Sequence, residues 1–514
     1  MQRRLPTHPA HSAASRAAGR PVVPTAGSAW RPIVLVFLPF ASGYYLSYLY
    51  RTINALISPS LVAEFTLRPA DLGLLTSAYF LAFGLIQLPL GVLLDRYGPR
   101  RVQSAFLIVA SAGAVVFSSA GGLTELIAGR ALIGLGVAGA LMAGLKAIVL
   151  WFPKERVALA NGWFIMLGAL GAVSATAPAE FLLAQVGWRH LFAILAALTA
   201  LSAITIHVIV PQRRSGVSTA ASRGAMSLGA IFSDPRFWRL APLSATCIGT
   251  AWALQGLWAA PWLTDVDGLA RAIVVRHLLV MAMALSAAAL LLGVSADRLR
   301  RRGISHATLM ALTCTLAIAA QLAIVLRIPA LTYVLWAAVG GVGAVTVLSY
   351  AILAEGFPKD SIGRVNGALN LLHVGYAFLV QAATGVIIQQ WPVDDGHVPA
   401  AAYQTALAIN LAVQMAALIW FVSPEWRIVP EVLAAHPIHQ MAAGRCGGSP
   451  EALIGYRRAV EEWGGRVRAA RVQAASWRIA AIGSLLIAGV LGTALMTVTL
   501  SSEIVPHLVA AEAE

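Results

Sequence analysis

Gly91-Val-Leu-Leu-Asp95-Arg96-Tyr-Gly98-Pro-Arg100-Arg101 returns about 200 residues later as Gly293-Val-Ser-Ala-Asp297-Arg298-Leu-Arg300-Arg301-Arg302-Gly303. The echo does not stop there. Phe152-Pro153-Lys154-Glu155 with Asn161-Gly162 returns as Phe357-Pro358-Lys359-Asp360 with Asn366-Gly367, and Ser58-Pro59-Ser60-Leu61 as Ala260-Pro261-Trp262-Leu263. Two halves built in parallel on one plan imply a site between them.

Composition says where such a chain lives. Of 514 residues, 59% are apolar and only 11% charged, with a mean hydropathy of +0.76. Many runs reach the roughly 20 apolar residues that cross a bilayer as a helix. Hydrophobic runs place helices near 33–57, 70–94, 102–121, 123–150, 157–183, 189–210, 237–263, 273–296, 305–326, 329–355, 363–390 and 402–422. A thirteenth run covers about 477–500. With the N-terminus inside, and residues within three positions of a helix end counted with the adjoining loop, 29 of the 37 Lys and Arg fall in cytoplasmic segments, 5 in external loops and 3 within helices. That bias explains the net charge of +15 as a topology signal, so nucleic acid is not an expected partner. Arg dominates the basic residues, in keeping with a GC-rich bacterial genome and an inner-membrane location.

The expected organisation is therefore all-α and polytopic. A disordered cytoplasmic tail (1–31) precedes a six-helix bundle (32–210). A Gly-, Ser-, Pro- and Arg-rich linker (211–236) leads to a second six-helix bundle (237–425). Ser449-Pro450-Glu451 then opens a helix within a cytoplasmic amphipathic segment (426–476). The extra helix (477–500) and an external tail (501–514) complete the chain. The N-terminus is expected inside and the C-terminus outside. Cys247, Cys314 and Cys446 have no disulfide or metal spacing. With no zinc spacing, phosphate-binding loop or nucleophile elbow, neither enzyme chemistry nor a cofactor or metal is expected.

The 91–101 stretch resembles the signature loop of the major facilitator superfamily, Gly-x-Leu-x-Asp-Arg-x-Gly-x-Arg-Arg, at every fixed position. Gly129-Arg130-x-Leu132-x-Gly134-x-Gly136 resembles its second motif, and the resemblance spans about 30–425. It implies twelve core helices in two bundles and a transporter working by alternating access, with the thirteenth span a departure from the usual twelve. It also implies a cytoplasmic gate. Asp95 would meet the N-terminus of helix eleven, starting near Gly363. Arg96, Arg100 and Arg101 would bridge the halves, with Gly91 and Gly98 shaping the loop. Gly293, Asp297 and Arg298 repeat the pattern.

A charge inside a bilayer costs several kcal/mol, so each needs a reason. Arg51 shares a helix-one stripe with Tyr44, Tyr48, Asn54 and Ser58, and its planar fork suits a carboxylate. Tyr50-Arg51-x-x-Asn54 resembles helix one of the anion:cation symporter and organophosphate branches, where an Arg contacts the anionic substrate. Aligning Pro59 with Pro261 sets Arg51 opposite Ala253, so the second half supplies no matching cation and a small monoanion fits better than a phosphate dianion. Tyr48, Asn54, Gln255, Asn370 and His373 are the expected companions. Arg130 reads as a coupling or a structural charge. Glu180 reads as its partner or as a proton carrier. Lys146 reads as a side chain reaching the cytoplasm or as a charge along the exit path. The expected function is uptake of a small organic anion, a monocarboxylate, with a proton as coupling ion and a monomeric protein in the lipid bilayer. Drug or metabolite export and a transporter-like sensor are the alternatives.

Overall fold

A computed structural model describes residues 30–211, 226–328, 331–358, 361–392 and 398–423. The amphipathic segment, the thirteenth span, the external tail, most of the linker and nearly all of the N-terminal tail lie outside the described residues. Among the described residues every regular element is helical. Ten helices are long and apolar enough to cross a membrane. Two more stretches, 154–186 and 235–266, are divided by kinks into shorter helical pieces.

In chain order these form α1 (30–65), α2 (69–97), α3 (99–118), α4 (123–151), α5 (154–186), α6 (188–209), α7 (235–266), α8 (Arg271–Arg301), α9 (His306–Val325), α10 (332–356), α11 (Ile362–Ile388) and α12 (Ala400–Val422). The hairpin from α2 to α3 hangs on Gly98, at φ 79° and ψ 160°, a conformation that strains any residue with a Cβ. That is one physical reason for the second glycine of the 91–101 phrase. The second motif's glycines serve close packing instead. A Cβ on Gly134 would collide with the Tyr79 carbonyl of α2, and one on Gly136 with the Ala110 amide of α3.

Several helices are interrupted near their middles. α1 breaks at Ile53, α4 at Ala138 and Gly139, and α10 tightens to a 3₁₀ turn at Val342–Ala344. α7 widens into π-turns at Leu254–Trp258 and Trp262–Val266. Irregular backbone at membrane depth is tolerated where protein buries it or a cavity receives it. These breaks converge on the interface between the first six helices and the last six.

At the end opposite the 91–101 turn, the halves are tied together. Arg271 of α8 donates Nε and Nη2 to Glu180 of α5 at 2.8 and 2.7 Å, and Nη2 also to the Leu56 carbonyl of α1 at 2.8 Å. The Ala70 amide of α2 donates to Gln389 Oε1 beyond α11 at 3.3 Å. Glu180 therefore pairs with Arg271 and not with Arg130, a correction to the sequence expectation. Both candidates lie in the first half, but the carboxylate stands where the halves meet and takes its cation from across that junction.

Candidate functional site: a cationic cavity between the halves

α1 carries Tyr44, Ser47, Tyr48 and Arg51 into a cavity of about 240 Å³. α2 adds Phe83 and Gln87, α4 adds Ala138 and Leu145, and α5 adds Ile165 and Ala169. The second half answers with Trp252 of α7, Leu285 and Ala289 of α8, Gly343, Thr346 and Tyr350 of α10, and Asn370 of α11. The α4 and α10 breaks open straight onto this space.

Arg51 is 8% exposed and is the one cation among the lining residues, which include no carboxylate. Its guanidinium carbon sits 4.4 Å from the Trp252 ring centroid, 4.8 Å from Tyr48 and 5.5 Å from Phe83. Aromatic faces attract a cation through their quadrupole but accept no hydrogen bond as strong as an anion's. Arg51 Nε has no hydrogen-bond partner among the described residues, and neither does the Tyr350 hydroxyl. A buried guanidinium held by rings, with the Tyr79 hydroxyl beside it, is therefore a charge with an unused Nε donor and no ion-pair partner among the described residues.

Arg130 is buried just as deeply, at 1% exposure, and its Nε, like that of Arg51, has no hydrogen-bond partner among the described residues, but both of its terminal nitrogens are engaged. Nη1 donates to the Tyr50 carbonyl at 2.9 Å and Nη2 to Asn54 Oδ1, while Phe117 and Phe192 flank the head. Asn54 passes the link on to Thr76 Oγ1 at 2.5 Å. The break at Ile53 comes just after Tyr50, whose carbonyl Arg130 takes up. The cation thus pins the α1 backbone immediately before Arg51.

Several expected companions lie elsewhere. Asn54 is fully buried against Arg130 and does not line the cavity. Gln255 is buried outside the lining within the π-turn, and Trp252 takes the place facing Arg51. His373 is fully buried. It shares a 2.8 Å hydrogen bond with Ser244 and meets Trp252 edge to face, one turn from Asn370 but rotated off the cavity. Tyr48 and Asn370 do line it.

The 91–101 turn also differs from expectation. Asp95 accepts from Lys146 Nζ of α4 at 2.5 Å, not from the start of α11. Lys146 reaches the end that carries the turn and neutralises Asp95 within its own half. Arg96, Arg100 and Arg101 line a second pocket, every residue of which belongs to the first half. Gly293 and Arg298 lie in the last turns of α8, as does Asp297, whose side chain is outside the described residues.

Sequence reasoning missed Trp252, Phe83, Gln87, Tyr350 and Arg271. Trp252 had a signal, one position from the residue that the internal repeat sets opposite Arg51. Gln87 and Tyr350 had none beyond being polar in apolar helices.

The comparisons with known proteins follow the same lines. A hexuronate transporter of Escherichia coli (strain K12) is 26% identical over 262 residues, 47% of this chain and 59% of that one. A probable sulfoacetate transporter of Cupriavidus necator is 26% identical over 156 residues, 30% of this chain and 36% of its own length. The chain thus spans less than two thirds of the curated relatives it matches. A solved D-xylose-proton symporter superposes with a TM-score of 0.62 at 15% identity, covering 78% of this chain and 98% of that one, which shows a shared fold. A model of the VirB8 protein family matches residues 458–514, outside the described residues and across the expected thirteenth span. The Major Facilitator Superfamily model matches residues 40–380, well over half of the chain, and the chain belongs to that superfamily.

Proposed function

We propose that this protein is a secondary active transporter that takes up a small organic anion, a monocarboxylate, by alternating access. The observation that carries this reading is Arg51: one buried cation with an unpaired Nε, lining a cavity between the halves that has no lining carboxylate. Leaving such a charge without a counter-ion is costly, and an anionic substrate offsets that cost only while it is bound. The aromatic walls exclude water and hold the guanidinium in place, while Tyr48, Tyr350 and Asn370 offer neutral groups to orient the rest of the ligand. One cation favours one negative charge. The relatives named for hexuronate and sulfoacetate support an acid as the substrate class.

The Glu180–Arg271 tie closes the end opposite the 91–101 turn, and we read that end as external because the turn carries the positive-inside charge. This conformation is then inward-facing. In the outward-facing state Asp95 would exchange Lys146 for the start of α11, and Arg96, Arg100 and Arg101 would close on the second half. Asp297 and Arg298 would act alike in the repeat. We assign the coupling ion as a proton, with Glu180 as the carrier when Arg271 leaves it. The protein would act as a monomer in a bacterial inner membrane.

The test is uptake of labelled hexuronates and short monocarboxylates into proteoliposomes, with and without an imposed pH gradient. Saturable uptake that an inward proton gradient drives and that Arg51→Gln abolishes is the expected result. Accumulation of cationic amphiphiles, or acid uptake equal in both proteins, would sink the reading and favour export.

A further inference from the structure

The second pocket lies at the base of the first bundle and measures about 290 Å³. The Gly98 turn folds Arg96, Arg100 and Arg101 around it, with Phe40 and Trp151 forming apolar walls. Its one acid is already engaged, since Asp95 accepts from Lys146 at 2.5 Å. Among the described residues no carboxylate pairs with any of the three arginines, and Arg100 Nε is a buried donor with no partner. The chain leaving the pocket at Pro211 carries no Asp or Glu before Asp234, and the nearest other acid in sequence is Glu155, four residues past Trp151, whose side chain lies outside the described residues. Three guanidinium groups gathered without an anion repel one another, and each presents a fork shaped for phosphate oxygens.

We propose that this pocket binds a phosphate group, either the headgroup of an anionic phospholipid or a soluble phosphate ester. It differs from the Arg51 cavity in the charge it requires. One cation faces the substrate cavity, whereas three face this pocket, and it therefore selects a more strongly charged or more polar-headed anion. Its place at the basic end of the helices, beside Trp151, is where headgroups lie. On the transport cycle proposed above, an occupant would hold in the first half the arginines that close on the second half in the outward-facing state, and so would favour the conformation seen here.

The experiment is native mass spectrometry of the full chain in a non-ionic detergent, titrated separately with phosphatidylglycerol, phosphatidylcholine and glycerol 1-phosphate. Thermal unfolding is followed in parallel. A saturable adduct with phosphatidylglycerol but not phosphatidylcholine, weakened at least tenfold in Arg100→Gln/Arg101→Gln, is expected for a lipid site. The same pattern with glycerol 1-phosphate assigns a soluble ester. Arg96→Gln alone, expected to weaken binding several-fold, replaces the double variant if that one does not fold. Arg51→Gln separates the two cavities, because a phosphate adduct lost in that variant belongs to the substrate cavity. That loss, equal binding of both lipids, or affinity unchanged in every variant of the turn would overturn the proposal.

Discussion

Arg51 and Arg130 are the same residue type, lie within the same bundle and are buried to nearly the same degree, yet their surroundings differ. Arg130 gives hydrogens from both terminal nitrogens to a backbone carbonyl and an asparagine, with two phenyl rings around it and only Nε left without a partner. Arg51 is surrounded by three rings and a cavity. Burial alone therefore does not mark a ligand-binding charge. The partner set does. We read the first as belonging to the fold, its terminal nitrogens held within the first half, and the second, on the function proposed above, as completed by an anion.

The largest effect should come from removing the open charge. Arg51→Gln should lower anion affinity at least a hundredfold, about 2.7 kcal/mol, as expected for losing a pair of charge-assisted hydrogen bonds. Ligand-induced thermal stabilisation reads this directly, because only a protein that binds is stabilised. Arg51→Lys should recover little, since an ammonium cannot present the planar fork. Full recovery by lysine would mean that the cavity needs charge and not geometry.

Arg130→Gln should reverse the pattern. Without the guanidinium, the Tyr50 carbonyl and the Asn54 amide lose their partner, each loss costing about 1–3 kcal/mol. The unliganded protein should melt several degrees lower, while anion affinity moves less than tenfold through a looser Arg51. A hundredfold loss of affinity at an unchanged melting temperature would show that Arg130 touches substrate, and the contrast between the two arginines would fail.

How much of this was legible beforehand follows from the same contrast. The repeated motif and hydrophobic runs contain the fold, since bilayer span and helix count are properties of local composition. Arg51 was legible because a cation on a polar stripe in an apolar helix has few explanations. Its surroundings were not. Asn54 turns to Arg130, and Trp252 rather than Gln255 faces Arg51, choices set by packing between helices that a helical wheel leaves out. Pairing across the halves was the least legible, as Glu180 with Arg271 shows. Those two positions are 91 residues apart, and no local pattern relates them.

That pair offers the next test, of smaller size. Both side chains are partly exposed, so the tie should contribute about 0.2–1 kcal/mol, up to a fivefold shift between conformations. Glu180→Arg should increase labelling of a cysteine placed at Leu56, and adding Arg271→Glu should restore the original level. Arg51 takes no part in this contact, so the assay separates gate from site. Labelling unchanged by Glu180→Arg would show that other cross-half contacts carry the closure.

An effect of comparable size, but one that vanishes with pH, belongs to a cation whose anion is resident. Asp234 caps α7 through the Arg236 amide at 2.8 Å, and its carboxylate also takes the Arg236 side chain, which donates Nη1 to the Gly356 carbonyl at 2.7 Å. The Arg236 hydrogen bonds hold the Asp234 carboxyl below its ordinary value, against a partial burial that works the other way. A depressed carboxyl contributes stability that is complete above its unfolded value and is lost as pH falls through the folded one. The wild-type melting temperature should therefore fall on acidification below the usual aspartate range. Asp234→Ala should cost about 1 kcal/mol at neutral pH, the usual worth of an N-cap, and the difference should shrink towards zero at low pH. Arg51 shows what a membrane protein does with a cation it leaves open, and Arg236 what the same group contributes when its partner never leaves. A pH-independent difference would mean that the cap works by shape and that its charge pairing adds nothing.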